Sequence, residues 1–262
     1  MISRRMLMAF EPEERPEVEE WYVQDGLVLH LDGIYNDSYV NQTHKDNPTV
    51  WNDLSGNGNH FYMYNSTTTE DSFKFSGSKS CYGKNNFSLV DNELSDLLKG
   101  VKTRTIEIVC KLNNTDAAQT IFLGAGMASP IEDTAAGMWY RPASNGMKIS
   151  TADGSLSYPY TTTNPTQRNH YYATYNSSHS GIYDFAQNGV ACSRGTAAGN
   201  MSNPTYITIG ARYYNSIGYP LNGEICAIRV YNRQLTTQEK AQNLNLDIRR
   251  FGLSATPVTV DE

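Results

Sequence analysis

Apolar and polar residues alternate at a period of two along most of this chain. Leu27, Leu29 and Leu31 are interleaved with Val28 and His30. Ile106, Ile108, Cys110 and Leu112 are interleaved with Thr105, Glu107, Val109 and Lys111. Cys226, Ile228 and Val230 share one parity, while Glu224, Ala227, Arg229 and Tyr231 fall outside it. Successive side chains on a strand point to opposite faces, so each run predicts a strand with one face in a core. Shorter runs predict further strands near 73–75, 120–123, 138–141, 147–150, 170–175, 181–185 and 206–210. Gln187-Asn188-Gly189 supplies a tight hairpin turn after the 181–185 run. Residues 36–59 are rich in turn formers, and 91–100 could form a helical turn or two.

The period changes once. Thr236-Thr237-Gln238-Glu239 fits a capping box, with Thr236 as cap and Glu239 reaching back to its amide. Ala241, Leu244, Ile248 and Phe251 follow at helical spacing, and Gly252 ends the run. One helix of about 14 residues is therefore expected near the C-terminal end, packed on the strands.

Composition supports an all-β reading. The chain's 262 residues include 18 Tyr and 20 Gly among many Asn, Ser and Thr, a mixture suited to short strands and tight turns. The acidic balance, 21 Lys and Arg against 27 Asp and Glu, argues against a nucleic-acid partner. No apolar stretch reaches the length of a membrane span. Cys81, Cys110, Cys192 and Cys226 lack metal-finger or redox spacing, and Cys110 and Cys226 are expected as buried free thiols.

Residues 1–24 differ from the rest. Glu11-Pro12-Glu13-Glu14-Arg15-Pro16-Glu17 is acidic, broken by proline and without an apolar period. This segment is expected as a disordered tail or as an arm docked on a partner. Its apolar tip would then engage through Met1, Arg4, Arg5, Met6, Leu7 and Phe10. The apolar run 6–10 is shorter than a secretory signal core, so a retained, unsecreted chain is expected. The body is expected over 25–254, with a short loose tail at 255–262.

Two segments carry a family signature. One is Gly26-Leu27-Val28-Leu29-His30-Leu31-Asp32 followed by Trp51-Asn52-Asp53-Leu54-Ser55-Gly56-Asn57-Gly58-Asn59. The other runs from Leu221-Asn222-Gly223-Glu224 through Tyr231-Asn232-Arg233-Gln234-Leu235-Thr236 into the helix. With the intervening runs in order, the chain resembles the LamG-like branch of the concanavalin A-like lectin and glucanase superfamily over residues 26–252. The resemblance implies a two-sheet antiparallel jelly-roll sandwich of roughly twelve to fourteen strands. Similar domains occur in bacteriophage virion proteins and in secreted bacterial proteins that hold glycans. The opening Met1-Ile2-Ser3-Arg4-Arg5-Met6-Leu7-Met8 resembles the starts of some phage proteins of gut Bacteroidetes. The expectation is a non-catalytic virion structural protein: a head fibre, capsid decoration or tail component. It would be assembled in the host cytoplasm with other virion proteins or with copies of itself. A free carbohydrate-binding module is the alternative, and a glycoside hydrolase a weaker one.

A retaining glycosidase needs two carboxyls about 5–5.5 Å apart. Glu107 and Glu224 are the only acids in their strands, so neither strand supplies a pair. Nucleophile and phosphate-loop motifs are absent, and no catalytic residue or organic cofactor is expected. The resemblance allows calcium at one rim of the sandwich, with Asp53, Asn57 and Asn59 as oxygen donors. The same loop reads more readily as a turn whose Asx side chains bond their own backbone. Trp139, Tyr140 and Arg141, Tyr158 and Tyr160, and the loop carrying Arg212, Tyr213, Tyr214, Asn215 and Tyr219 offer aromatic and polar surface. These residues suit a saccharide platform and a protein interface equally well.

Overall fold

The computed structural model describes residues 21–34, 50–63, 88–90, 103–126, 136–142, 146–151, 157–161, 164–176, 181–192, 204–213 and 217–259. Within them the strands run in order β1 (Leu27–Asp32), β2 (Val50–Trp51), β3 (Phe61–Met63), β4 (Ser88–Val90), β5 (Arg104–Leu112), β6 (Gln119–Gly126), β7 (Ala136–Arg141) and β8 (Gly146–Thr151). They continue as β9 (Ser157–Thr161), β10 (Asn169–Asn176), β11 (Gly181–Gln187), β12 (Val190–Ala191), β13 (Pro204–Ile209), β14 (Arg212–Tyr213), β15 (Ile217–Gly218) and β16 (Gly223–Tyr231). One helix, α1 (Thr237–Phe251), follows. The expected strand at 73–75, the helical turns at 91–100, Cys81, Tyr214 and the arm tip lie outside the described residues.

The strands form a six-stranded sheet, β1-β16-β5-β10-β11-β12, an eight-stranded sheet, β2-β3-β4-β13-β6-β7-β8-β9, and the small ribbon β14-β15. Neighbouring strands run antiparallel, as in β1 with β16, β16 with β5 and β6 with β7. Leu29, Leu31, Ile106, Ile108 and Cys110 from the first sheet share a core with Phe122, Met138, Tyr140, Met147, Ile207 and Ile209 from the second. This is the expected two-sheet sandwich, with its apolar parity facing inward. Cys110 and Cys226 are buried and unbridged.

The other parity of the six-stranded sheet is covered as well. Glu107 and Arg229 occupy polar positions that would face water in a half-exposed sheet, yet both are fully buried. The cause is α1, which lies over this face and covers it with Asn243, Leu244 and Asp247. The helix begins as its sequence requires. The Glu239 amide donates to Thr236 Oγ1 (3.2 Å), and the Thr236 amide donates to Glu239 Oε2 (2.8 Å). It ends at Gly252, whose φ of 65° is left-handed, with its amide donating to the Ile248 carbonyl (3.1 Å). A glycine adopts that conformation without a Cβ penalty.

Two boundaries shift. Residues 21–24, expected within the arm, are packed against the body. Tyr22 is buried, the Val23 amide donates to Asn243 Oδ1 (3.0 Å) and Gln242 Nε2 donates to the Trp21 carbonyl. The tail expected to be loose is tied to the helix as far as Val258, whose amide and carbonyl both bond the Asn245 side chain at 2.9 Å. No helix among the described residues is long and apolar enough to cross a membrane.

Candidate functional site

Antiparallel register builds a polar row across the covered face of the six-stranded sheet. His30 on β1 lies opposite Arg229 on β16, Arg229 opposite Glu107 on β5, and Glu107 opposite Tyr172 on β10. Residues paired across antiparallel strands present their side chains on the same face. Four sequence-distant strands thus place these side chains in one line beneath α1.

Arg229 is the centre of this row. Its Nε donates to Glu107 Oε2 (2.8 Å) and its Nη1 to Asp247 Oδ1 (3.1 Å), with Nη2 on Asp247 Oδ2. Its guanidinium also lies over the Tyr22 ring, 4.1 Å from the centroid. Asn243 donates to Glu107 Oε2 (2.9 Å) and to the Tyr231 hydroxyl (3.0 Å). The Tyr22 hydroxyl donates to Asp247 Oδ1 (2.6 Å). Beside them, Arg250 Nη2 donates to Asp32 Oδ1 (3.1 Å). Burial alone would push the Glu107 carboxyl up, but Arg229 and His170 outweigh it and hold the group at about 2. Asp32 is held well below the usual carboxylate range: burial again opposes this, and Arg250 and His30 prevail.

At one end of the row the sheet and helix part to leave a cleft of about 240 Å³. Its polar side is built by β10 and β11. The Tyr172 hydroxyl donates to Asp184 Oδ2, and Lys240 Nζ from the first turns of α1 donates to the same oxygen (3.2 Å). The Lys240 ammonium sits 4.6 Å from the centroid of the Tyr172 ring. Ala241, Leu244 and Val258 form the apolar side, and Gly189 of the β11–β12 hairpin and Thr237 complete the lining. Asn188 and Gly189 take φ of 52° and 78°, the left-handed pair expected for the Asn-Gly turn.

His170 joins the cleft to the buried ions. It lines the cleft, is 1% exposed, and neither ring nitrogen has a hydrogen-bond partner. Its Nε2 stands 3.7 Å from both Glu107 Oε1 and Asp247 Oδ2, beyond hydrogen-bonding distance. A buried polar group without a partner is costly, so this imidazole marks a point where polar capacity is unused.

The residues singled out from sequence lie elsewhere. Tyr140 is fully buried in the inter-sheet core and cannot serve as an exposed platform. It shares a parity with Met138, which is buried in the same core. Trp139 and Arg141 lie on β7, opposite Lys148 and Gly146 of β8. Tyr213 pairs with Ile217 in the β14–β15 ribbon, and Tyr219 follows that ribbon, 40% exposed at a left-handed φ of 47°. These aromatics therefore belong to two separate elements, the eight-stranded sheet and the ribbon. The Asp53 loop bonds itself. Asp53 Oδ1 accepts from the His30 and Ser55 amides, and Oδ2 from the Ser55 hydroxyl and the Asn59 amide, all at 2.8–2.9 Å. Asn57 and Asn59 turn their Nδ2 groups to the Leu27 and Val28 carbonyls. This donor arrangement makes an Asx turn that staples the loop to β1. Among the described residues no group of His, Cys, Asp or Glu is arranged to hold a metal.

Tyr172, Asp184, Lys240 and His170 were not singled out as a site. The available signal was polar residues inside otherwise apolar patterns: His170, Tyr172 and Thr174 at strand spacing, and Lys240, Asn243 and Asp247 interleaved with the apolar helix positions.

Residues 83–239 match the family described as Concanavalin A-like lectin/glucanases superfamily. No curated protein matches the chain. Among solved structures, the sialidase of Trypanosoma rangeli in complex with sialic acid superposes with a TM-score of 0.58 at 12% identity, covering 86% of this chain and 33% of the sialidase. A second structure of the Trypanosoma rangeli sialidase gives a TM-score of 0.55 at 13% identity, with the same coverage. The chain thus spans about a third of that enzyme's length, and at such identity the likeness concerns the fold alone.

Proposed function

The chain belongs to the concanavalin A-like lectin/glucanases superfamily, and from that premise we propose that it is a non-catalytic binding protein that holds a glycan. The observation that carries this reading is the cleft between β10, β11 and α1. It combines hydrogen-bonding groups from Lys240, Asp184 and His170 with an apolar wall. Small-ligand sites combine apolar lining with a few convergent polar groups in this way.

A non-catalytic role is supported by the state of the acids. Glycoside hydrolysis by a carboxyl pair needs one group protonated to serve the leaving oxygen and a partner open to the sugar. Glu107 and Asp247 do come together, but both are bonded to Arg229 and fully buried. Glu107 is held at about 2 by Arg229 and His170 against the effect of burial, so it has no proton to donate near neutrality.

The setting we propose is a bacteriophage virion, as a head fibre, capsid decoration or tail component. The resemblance of residues 1–8 to phage protein starts supports it. A glycan array, run beside a hydrolysis assay on the bound glycans, tests the binding claim. Binding without turnover is the expected result. Turnover abolished by Glu107→Gln would overturn the non-catalytic reading. Mass spectrometry of purified virions tests the setting, and absence of the chain from particles would refute it.

A further inference from the structure

We propose that the cleft takes a single neutral pyranose unit and discriminates against anionic sugars. This rests on the glycan-binding reading and adds the site and the ligand class. Its volume, about 240 Å³, is on the scale of one sugar ring and lies below the usual range for sites that enclose a drug-sized ligand.

The polar side matches sugar hydroxyls. Each hydroxyl is both donor and acceptor, so a carboxylate beside an ammonium suits two neighbouring hydroxyls. Asp184 and Lys240 form that pair, and the Tyr172 and Lys240 donors both converge on Oδ2. Asp184 Oδ1 is left to accept from a ligand. Lys240 covers the Tyr172 ring, so a sugar face would rest on Leu244, Ala241 and Val258 instead of stacking on an aromatic. His170 supplies the second, independent pointer to a ligand. It is buried, lines the cleft, and has two nitrogens with no hydrogen-bond partner. A sugar hydroxyl entering the cleft would give that imidazole the partner it lacks.

Charge decides between neutral and anionic rings. Asp184 and Lys240 are the charged pair that lines the cleft, and behind His170 lie the buried carboxylates of Glu107 and Asp247 with Arg229. Arg229 is already saturated by the two buried acids and the Tyr22 ring. A ligand carboxylate would meet Asp184 with only a shared ammonium to offset it. In a partly desolvated cleft such like-charge contact is strongly unfavourable.

The test measures binding of methyl glucoside, methyl galactoside and N-acetylneuraminic acid to the full chain by ligand-observed NMR and calorimetry. The same measurements are made on Lys240→Met and on Thr237→Trp. Thr237 is exposed at the helix start, so the tryptophan narrows the mouth without touching the core, and thermal unfolding checks that both variants stay folded. The expected result is binding of at least one neutral glycoside, at least tenfold weaker in each folded variant, with N-acetylneuraminic acid bound at least tenfold more weakly. Unchanged binding in both variants would overturn the cleft assignment while leaving the glycan-binding reading intact. Preference for the anionic sugar would overturn the ligand class. Binding of intact glycans on an array, with none of the monosaccharides bound, would overturn this proposal alone. Failure of the array as well would remove both.

Discussion

Arg229 and Asp247 meet across the boundary between β16 and α1, with both side chains fully buried and two guanidinium nitrogens on the two carboxylate oxygens. The pair joins a strand from the sandwich to the helix that covers it, and Glu107 on the neighbouring strand accepts from the third guanidinium nitrogen, Nε. A surface of this kind positions a helix more strictly than an apolar seam, because each donor must find its acceptor. Removing one partner strands a buried charge, which is far costlier than losing an exposed ion pair.

Asp247→Asn is therefore expected to destabilise the fold by about 3–5 kcal/mol. The comparison is Glu224→Gln, which loosens the solvent-accessible, partly buried pair with Arg168 and is expected to cost at most about 1 kcal/mol. Urea unfolding of the two variants, side by side, checks the contrast. Equal costs would show that burial does not control the Arg229 network.

Acid is expected to unfold this protein through the same network. Glu107 is held at about 2 in the folded chain, below its ordinary value of 4.5, by Arg229 and His170 acting against burial. Asp32 is held lower still by Arg250 and His30, again against burial. A depressed carboxyl contributes stability that is fully present above its unfolded pKa and is lost as pH falls towards the folded one. Stability should stay level from neutrality to about pH 5 and fall steadily below about pH 4.5. Denaturant midpoints taken between pH 7 and pH 2.5 check this, and a Glu107→Gln variant should show a shallower acid slope.

Gly223 opens β16 opposite Leu112 of β5. A Cβ built there would lie 2.1 Å from the Lys111 carbonyl oxygen and 3.1 Å from Leu112 Cα. Backbone cannot yield as a flexible side chain can, so Gly223→Ala is expected to cost at least about 3 kcal/mol or to abolish folding. Soluble yield and thermal unfolding report the outcome. A variant with unchanged stability would mean that the β5–β16 register starts elsewhere.

Thr236→Ala removes one half of the capping box and leaves the Glu239 amide without its acceptor. The expected loss is about 1 kcal/mol, or about 2–4 °C in Tm for a domain of this size. Hydrogen exchange at the first turn of α1 should accelerate in step. A Tm drop without that local acceleration would place the effect outside the cap.

Local sequence pattern set the elements and sorted their faces. The period of two in β1, β5 and β16 set which residues enter the inter-sheet core. Thr236, Glu239 and Gly252 set where the helix starts and stops, and Asn188-Gly189 set the hairpin. These are local effects, since strand parity, capping and left-handed turns depend on residues a few positions apart. What lies on the polar parity was decided only by the tertiary structure. Thr105, Glu107, Arg229 and Tyr231 lie on the parity opposite the inter-sheet core, and all four are buried in the folded chain. Glu107, Asp247 and Arg229, and likewise Lys240, Asp184 and Tyr172, sit on different elements and meet through strand pairing and helix docking. Tyr140 shows the converse: an aromatic read as exposed surface is buried because its neighbour Met138 fixes the inward parity of β7. Period identifies a face, but only packing decides whether that face meets water, a helix or a ligand.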